Sequence, residues 1–163
     1  MTTALGHPRD LTPADIAWVH ALNQANGEAL SFMDLSAFQA MLDRARYARI
    51  LTPEAAFLLA YDQAPTADSP NFNWFATHRP GALYIDRVAV APHARRQGAA
   101  RTLYEDLFRE AASLGFKEIG CEINTDPPNP GSVKFHAALG FEQVGEARLE
   151  GRGKTVGYWV RGV

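Results

Sequence analysis

The stretch VAVAPHARRQGAARTLYEDLF, residues 88–108, runs from a β-branched segment into two arginines, a glycine and two alanines just where a helix begins. No Ser, Thr, Asp or Asn stands at that start, although these are the residues that normally satisfy a helix's first free N–H groups. Unpaired N–H groups and the summed peptide dipoles favour an anion there. Gly98 keeps a Cβ out of the way, Ala99 and Ala100 stay small, and Arg95 and Arg96 can add charge-assisted bonds to phosphate oxygens. The stretch therefore fits a diphosphate-binding turn; taken alone it also reads as a solvated basic turn. It has neither the Gly-Lys-Ser/Thr ending of a P-loop nor the GxGxxG of a dinucleotide turn. Two carboxylates, Asp86 and Glu122, fall inside strand-like runs, where a charge is costly unless partnered or used. Asp86 could simply pair with Arg87 or Arg79, and Glu122 could accept a sheet hydrogen bond. The five histidines are scattered without metal-ligand spacing, so no metal is expected. The single cysteine, Cys121, can form no internal disulfide and reads as a small packing residue.

These residues need elements to position them. LTPADIAWVHALNQANG reads as a helix capped at Thr12, with Pro13 first and Gly27 as its stop. DLSAFQAMLDRA reads as a second, with Leu35, Phe38, Met41 and Leu42 on one face. ARIL and AFLLAY flank the turn TPEA as a hairpin. Residues 62–81 read as a long loop, yet one carrying Phe72, Trp74 and Phe75, which must pack on something. ALYIDRVAV is a strand whose alternation puts Tyr84, Asp86 and Val88 on one face unless a bulge intervenes. A helix follows, with Leu103, Leu107, Ala111 and Leu114 in register and Gly115 as C-cap. KEIGCEIN is a strand, NPGSVKFHAALG a short helix ended by Gly140, and a final strand pair is joined through GRG.

The chain has 163 residues, 47% apolar and 21% charged, with net charge -2. That composition predicts one globular domain over residues 1–163, argues against an extended nucleic-acid footprint, and offers no membrane-spanning run. The lone cysteine and the absence of a signal pattern fit a cytoplasmic setting. The sequence leaves a homodimer open.

Two blocks together carry a resemblance. Arg95, Gly98 and Ala100 fit an Arg/Gln-x-x-Gly-x-Gly/Ala pattern after a strand, and Asn129, Ser132, Phe135, His136, Gly140 and Phe141 fit a second pattern downstream. In this order and spacing they resemble the GNAT superfamily of N-acetyltransferases, over roughly residues 48–148. Flanking stretches SPNFNWF, YIDRVAV and CEIN resemble a bacterial branch of predicted acetyltransferases.

The resemblance implies an α/β (α+β) fold with a central mixed, mostly antiparallel sheet, splayed in the middle and flanked by helices. It implies acetyl-CoA as co-substrate, with its pantetheine arm on Val88, Ala89 and Val90. The pyrophosphate would lie on the backbone of Arg96, Gln97, Gly98, Ala99, Ala100 and Arg101, and Asn129, Ser132 and Phe135 would complete the site. An amine of a small molecule would attack the thioester directly. Asp86 and Glu122 are the candidate bases. His136 stands where the family often has a tyrosine acid, which makes it the candidate proton donor, with Tyr84 and Tyr104 as further donors. Phe72, Trp74 and Phe75 would form a lid over the acceptor or merely cover the sheet, and His78 and Arg79 would meet an acidic group on it. Competing readings are a non-catalytic acyl-CoA-binding domain and a protein N-acetyltransferase.

Overall fold

The computed structural model describes residues 4–163. Among them seven strands form one sheet in the order β1-β2-β3-β4-β5-β7-β6. They are β1 (Arg9–Asp10), β2 (Tyr47–Leu51), β3 (Ala56–Tyr61), β4 (Ala82–Val90), β5 (Glu118–Asp126), β6 (Glu142–Leu149) and β7 (Lys154–Gly162). All neighbours are antiparallel except β4 and β5. The helices are α1 (Ile16–Ala25), α2 (Gly27–Leu30), α3 (Leu35–Arg44), α4 (Pro70–His78), α5 (Ala99–Ser113) and α6 (Pro130–Ala138).

The expected splay is present. β4 and β5 are each nine residues long, yet they pair only at Ala82↔Glu118, Leu83↔Ile119 and Tyr84↔Gly120. Beyond that point the facing edges have no strand partner. One face of the sheet is covered by α5, whose Leu103, Leu107 and Ala111 pack on Leu58, Ala60, Leu83, Ile85 and Ile119. The other face packs Phe57, Leu59 and Tyr61 against Val19, Phe38 and Met41 at one end. At its other end Phe75, Tyr84 and Tyr158 pack together. β3 is buried on both faces because AFLLAY is apolar without interruption.

Several expectations are corrected. Residues 70–78 are not loop: Pro70 opens α4 at a position where its missing N–H costs nothing. Leu35 and Leu114 lie exposed at helix ends rather than in the core, Leu35 as the first residue of α3 and Leu114 as the C-cap of α5. α1 does stop just before Gly27, at Ala25, but Gly27 also opens the one-turn α2, and it is small because the Phe32 ring fills the place of its Cβ. The strand β1 had no signal in the sequence.

Candidate active site

β4 carries a bulge at its centre. Leu59 pairs with Arg87 and Ala60 with Ile85, so Asp86 is the extra residue. The bulge breaks the alternation: Tyr84 faces the α4 side, but Val88 and Val90 pack on the α5 side. The bulge is the exception under which Tyr84 and Val88 do not share a face.

Where the strands part, two cavities meet through the sheet. The larger, about 460 Å³, reaches Ile85, Val88, Tyr104, Cys121, Asn129, Ser132 and His136. The smaller, about 190 Å³, opens toward Met33, Ser69, Asn71, Phe72 and Tyr84. Asp86, Arg87, Glu122, Arg152 and Lys154 border both. The two carboxylates picked out as misplaced in strands thus stand in the passage between the cavities.

Their surroundings differ. Asp86 accepts from Arg87 Nε at 2.7 Å, and Arg87, itself buried, also donates to Asn23 Oδ1 at 2.8 Å. Arg79, the other suggested partner of Asp86, pairs instead with Glu118. Glu122 accepts from the Tyr84 hydroxyl at 2.8 Å. Desolvation, reinforced by the charge of Asp86, pushes Glu122 up to about 8 although the Tyr84 bond pulls the other way. Glu122 is therefore a carboxyl poised to exchange a proton near neutral pH.

His136 is buried and fully engaged. Its Nδ1 lies 2.7 Å from the Ser132 carbonyl, which can only accept, so Nδ1 bears the proton. Nε2 then accepts from the Tyr104 hydroxyl at 2.8 Å. Burial pulls His136 below its ordinary pKa. Burial also pushes the Cys121 thiol up, consistent with a packing role.

The turn before α5 fits an anionic group. Gly98, at φ +76, is the N-cap of α5 and no side chain caps that helix. A Cβ at Gly98 would meet nothing within 4 Å, so the approach to the backbone is open. Arg95 and Arg96 are exposed beside it, Arg96 at φ 63. Asn129 is occupied in capping α6, its Oδ1 accepting from Ser132 N–H at 3.1 Å.

Not every candidate reaches the gap. Phe72 borders the smaller cavity. Trp74 instead stacks between Tyr158 and His78, with ring centroids 4.2 and 4.4 Å away, over Gly145. Phe75 is buried against Tyr84 and Tyr158. His78 Nδ1 lies 2.9 Å from the Trp74 carbonyl, so both His78 and Arg79 serve the scaffold. Arg152 and Lys154 were missed; the charged centre of the GRGK turn was their only signal. Among the described residues no cluster could hold a metal ion, and no helix is long and apolar enough to cross a membrane.

A family model for the acetyltransferase (GNAT) family matches residues 36–141. The chain belongs to the GNAT family. A curated relative, phosphinothricin N-acetyltransferase of Alcaligenes faecalis, is 31% identical over 122 residues, 72% of this chain and 58% of that protein. The chain thus spans under two thirds of that relative's length. Among solved structures, Ard1 from Thermoplasma volcanium superposes with a TM-score of 0.76 at 16% identity, covering 99% of both chains. A phosphinothricin acetyltransferase from Sinorhizobium meliloti, solved in complex with acetyl-CoA, gives a TM-score of 0.69 at 18% identity, covering 100% of this chain and 89% of that one. Both share the GNAT fold of this chain.

Proposed function

We propose that this GNAT protein transfers an acetyl group from acetyl-CoA to the amine of a small molecule by direct attack. The observation that carries the reading is the passage through the sheet, with Glu122 in its wall and one cavity on either side. Acetyl-CoA supplies the acetyl group as a thioester. Its pyrophosphate would lie on the open turn Arg95–Arg101, and its pantetheine arm along the unpaired edge of Val88, Ala89 and Val90. Asn129, Ser132 and Phe135 are proposed to flank it. The acceptor amine occupies the smaller cavity, beside Phe72.

Glu122 receives the proton that the amine must lose, and Tyr84 fixes the orientation of its carboxyl. Asp86 is held by Arg87, and its nearby charge raises the proton affinity of Glu122. On the far side the Tyr104–His136 pair borders the larger cavity. His136, with its one proton given to Ser132, is not the donor that the resemblance suggested; it holds the Tyr104 hydroxyl in place. Holding amine and thioester together in one passage accounts for much of the rate gain.

Thiol release from acetyl-CoA, measured against a panel of small amines that includes phosphinothricin, tests the reading. Release that depends on an amine and is lost in Glu122→Gln supports it. Acetyl-CoA binding without release across the panel overturns it.

A further inference from the structure

The rim of the smaller cavity carries a charge that the transfer step does not use. Arg152 stands at the middle of the β6–β7 turn, between Gly151 and Gly153 at φ +74 and +64. A Cβ on either glycine would meet nothing within 4 Å. The Arg152 guanidinium donates to Asp68 Oδ2 at 2.8 Å, and Asp68 comes from the segment leading into α4 on the opposite rim. Their side chains are 41% and 84% exposed. Lys154, two residues on, borders the same cavity and has no ion-pair partner among the described residues. The third cation, Arg87, is already committed to Asp86 and Asn23.

The cavity therefore carries both signs of charge, the carboxylates Asp86 and Glu122 and the cations Arg152 and Lys154. A carboxylate already occupies the rim position, and it is the side chain of Asp68. We infer that Arg152 determines acceptor specificity by seating an oxyanion of the acceptor, and that Asp68 is its internal competitor. This rests on the reading that the acceptor enters the smaller cavity. The favoured acceptors are amines that also carry a carboxylate, phosphonate or phosphinate. Polycationic amines, which would meet Arg152 and Lys154, are disfavoured.

An exposed ion pair favours its closed state only a few-fold over the open one. A ligand that must displace Asp68 loses affinity by the fraction of Arg152 that is free. Removing Asp68 should thus tighten anionic acceptors by about two- to sixfold.

The test is calorimetric binding, without turnover, of α-amino acids, ω-amino acids and aminoalkylphosphonates, each compared with its uncharged amide or ester. Arg152→Ala should weaken the anionic members tenfold or more and leave the amides within twofold. Arg152→Lys should restore part of the loss, and Asp68→Asn should tighten the anionic members alone. Both positions are exposed, and unchanged melting curves establish that the variants fold. Binding that ignores acceptor charge, no binding of any anionic member, or weaker anion binding in Asp68→Asn overturns the inference. The outcomes separate the two readings. Anionic members that bind through Arg152 but release no thiol from acetyl-CoA sink the transferase reading and leave this one standing. Amine-dependent release with an indifferent Arg152→Ala does the reverse.

Discussion

In the proposed transfer Glu122 is the proton acceptor, and its environment sets a pH signature. Its carboxyl is held near 8 in the folded chain against 4.5 as an ordinary side chain. Between those values the unfolded chain has released the proton and the folded chain has not, so stability falls as pH rises through that window. Glu122→Gln should flatten this slope, read as melting temperature from pH 5 to 8. The proton-accepting form predominates only above about 8, so kcat/KM should climb toward that pH and level off. The Gln variant should lose the climb and about 100-fold or more in rate. His136 makes a different prediction. His136→Phe leaves the buried Tyr104 hydroxyl without its acceptor, which costs about 1–3 kcal/mol of stability. Thermal melting should show that loss, while acetyl-CoA affinity stays within a few-fold. At the phosphate turn, Gly98→Glu puts bulk and negative charge where the backbone is open. Acetyl-CoA should bind at least about tenfold more weakly by calorimetry, about 1.4 kcal/mol; unchanged affinity would remove the anion cradle.

Among the elements, α4 shows where reading the sequence succeeded and where it stopped. The aromatics of residues 72–75 were legible as packing residues, but not as a helix, because Pro, Asn and Ser dominate the segment's composition. Which aromatic meets the cavity was not legible at all: it depends on Gly145 and Tyr158, far away in the chain, making the slot that Trp74 fills. Trp74→Ala should therefore cost about 1–3 kcal/mol of stability and leave both KM values alike, whereas Phe72→Ala should raise the acceptor KM alone. Steady-state kinetics on the two variants separates these outcomes. β4 taught the opposite lesson. Its identity and the oddity of Asp86, a charge within an apolar run, were plain, but the bulge that turns Val88 away is a matter of pairing with β3 and left no mark in the alternation.

At the scale of the whole molecule, the sheet is two antiparallel halves joined by three parallel rungs. The backbone groups along the parted edges lack strand partners, so their amides should exchange quickly in the free protein. Acetyl-CoA should slow exchange at Val88–Val90 more than in β6 or β7, and hydrogen–deuterium exchange with and without it checks this. At a hundredfold excess over Kd the ligand should add about 2.7 kcal/mol of apparent stability. The order of the elements other than β1, α2 and α4, and the hairpin of β2 and β3 and the final strand pair, were legible because hydrophobic period and turn residues are local. The gap between the halves was legible only by resemblance, since nothing in either strand alone says that pairing stops after three residues.

The extra residue in β4 also sets how this gene can vary. Exchange of Asp86 for another residue alters one side chain at the passage. Loss of the codon, like striking out a doubled letter, leaves the rest of the line readable: Ile85 still meets Ala60, Arg87 still meets Leu59, and Val88 and Val90 still pack toward α5. Loss of the Arg87 or Val88 codon instead moves the later residues of the strand by one rung and turns Val90 away from that face. A library scan scored for folding should therefore find single-residue deletion tolerated at position 86 and not at positions 87 or 88.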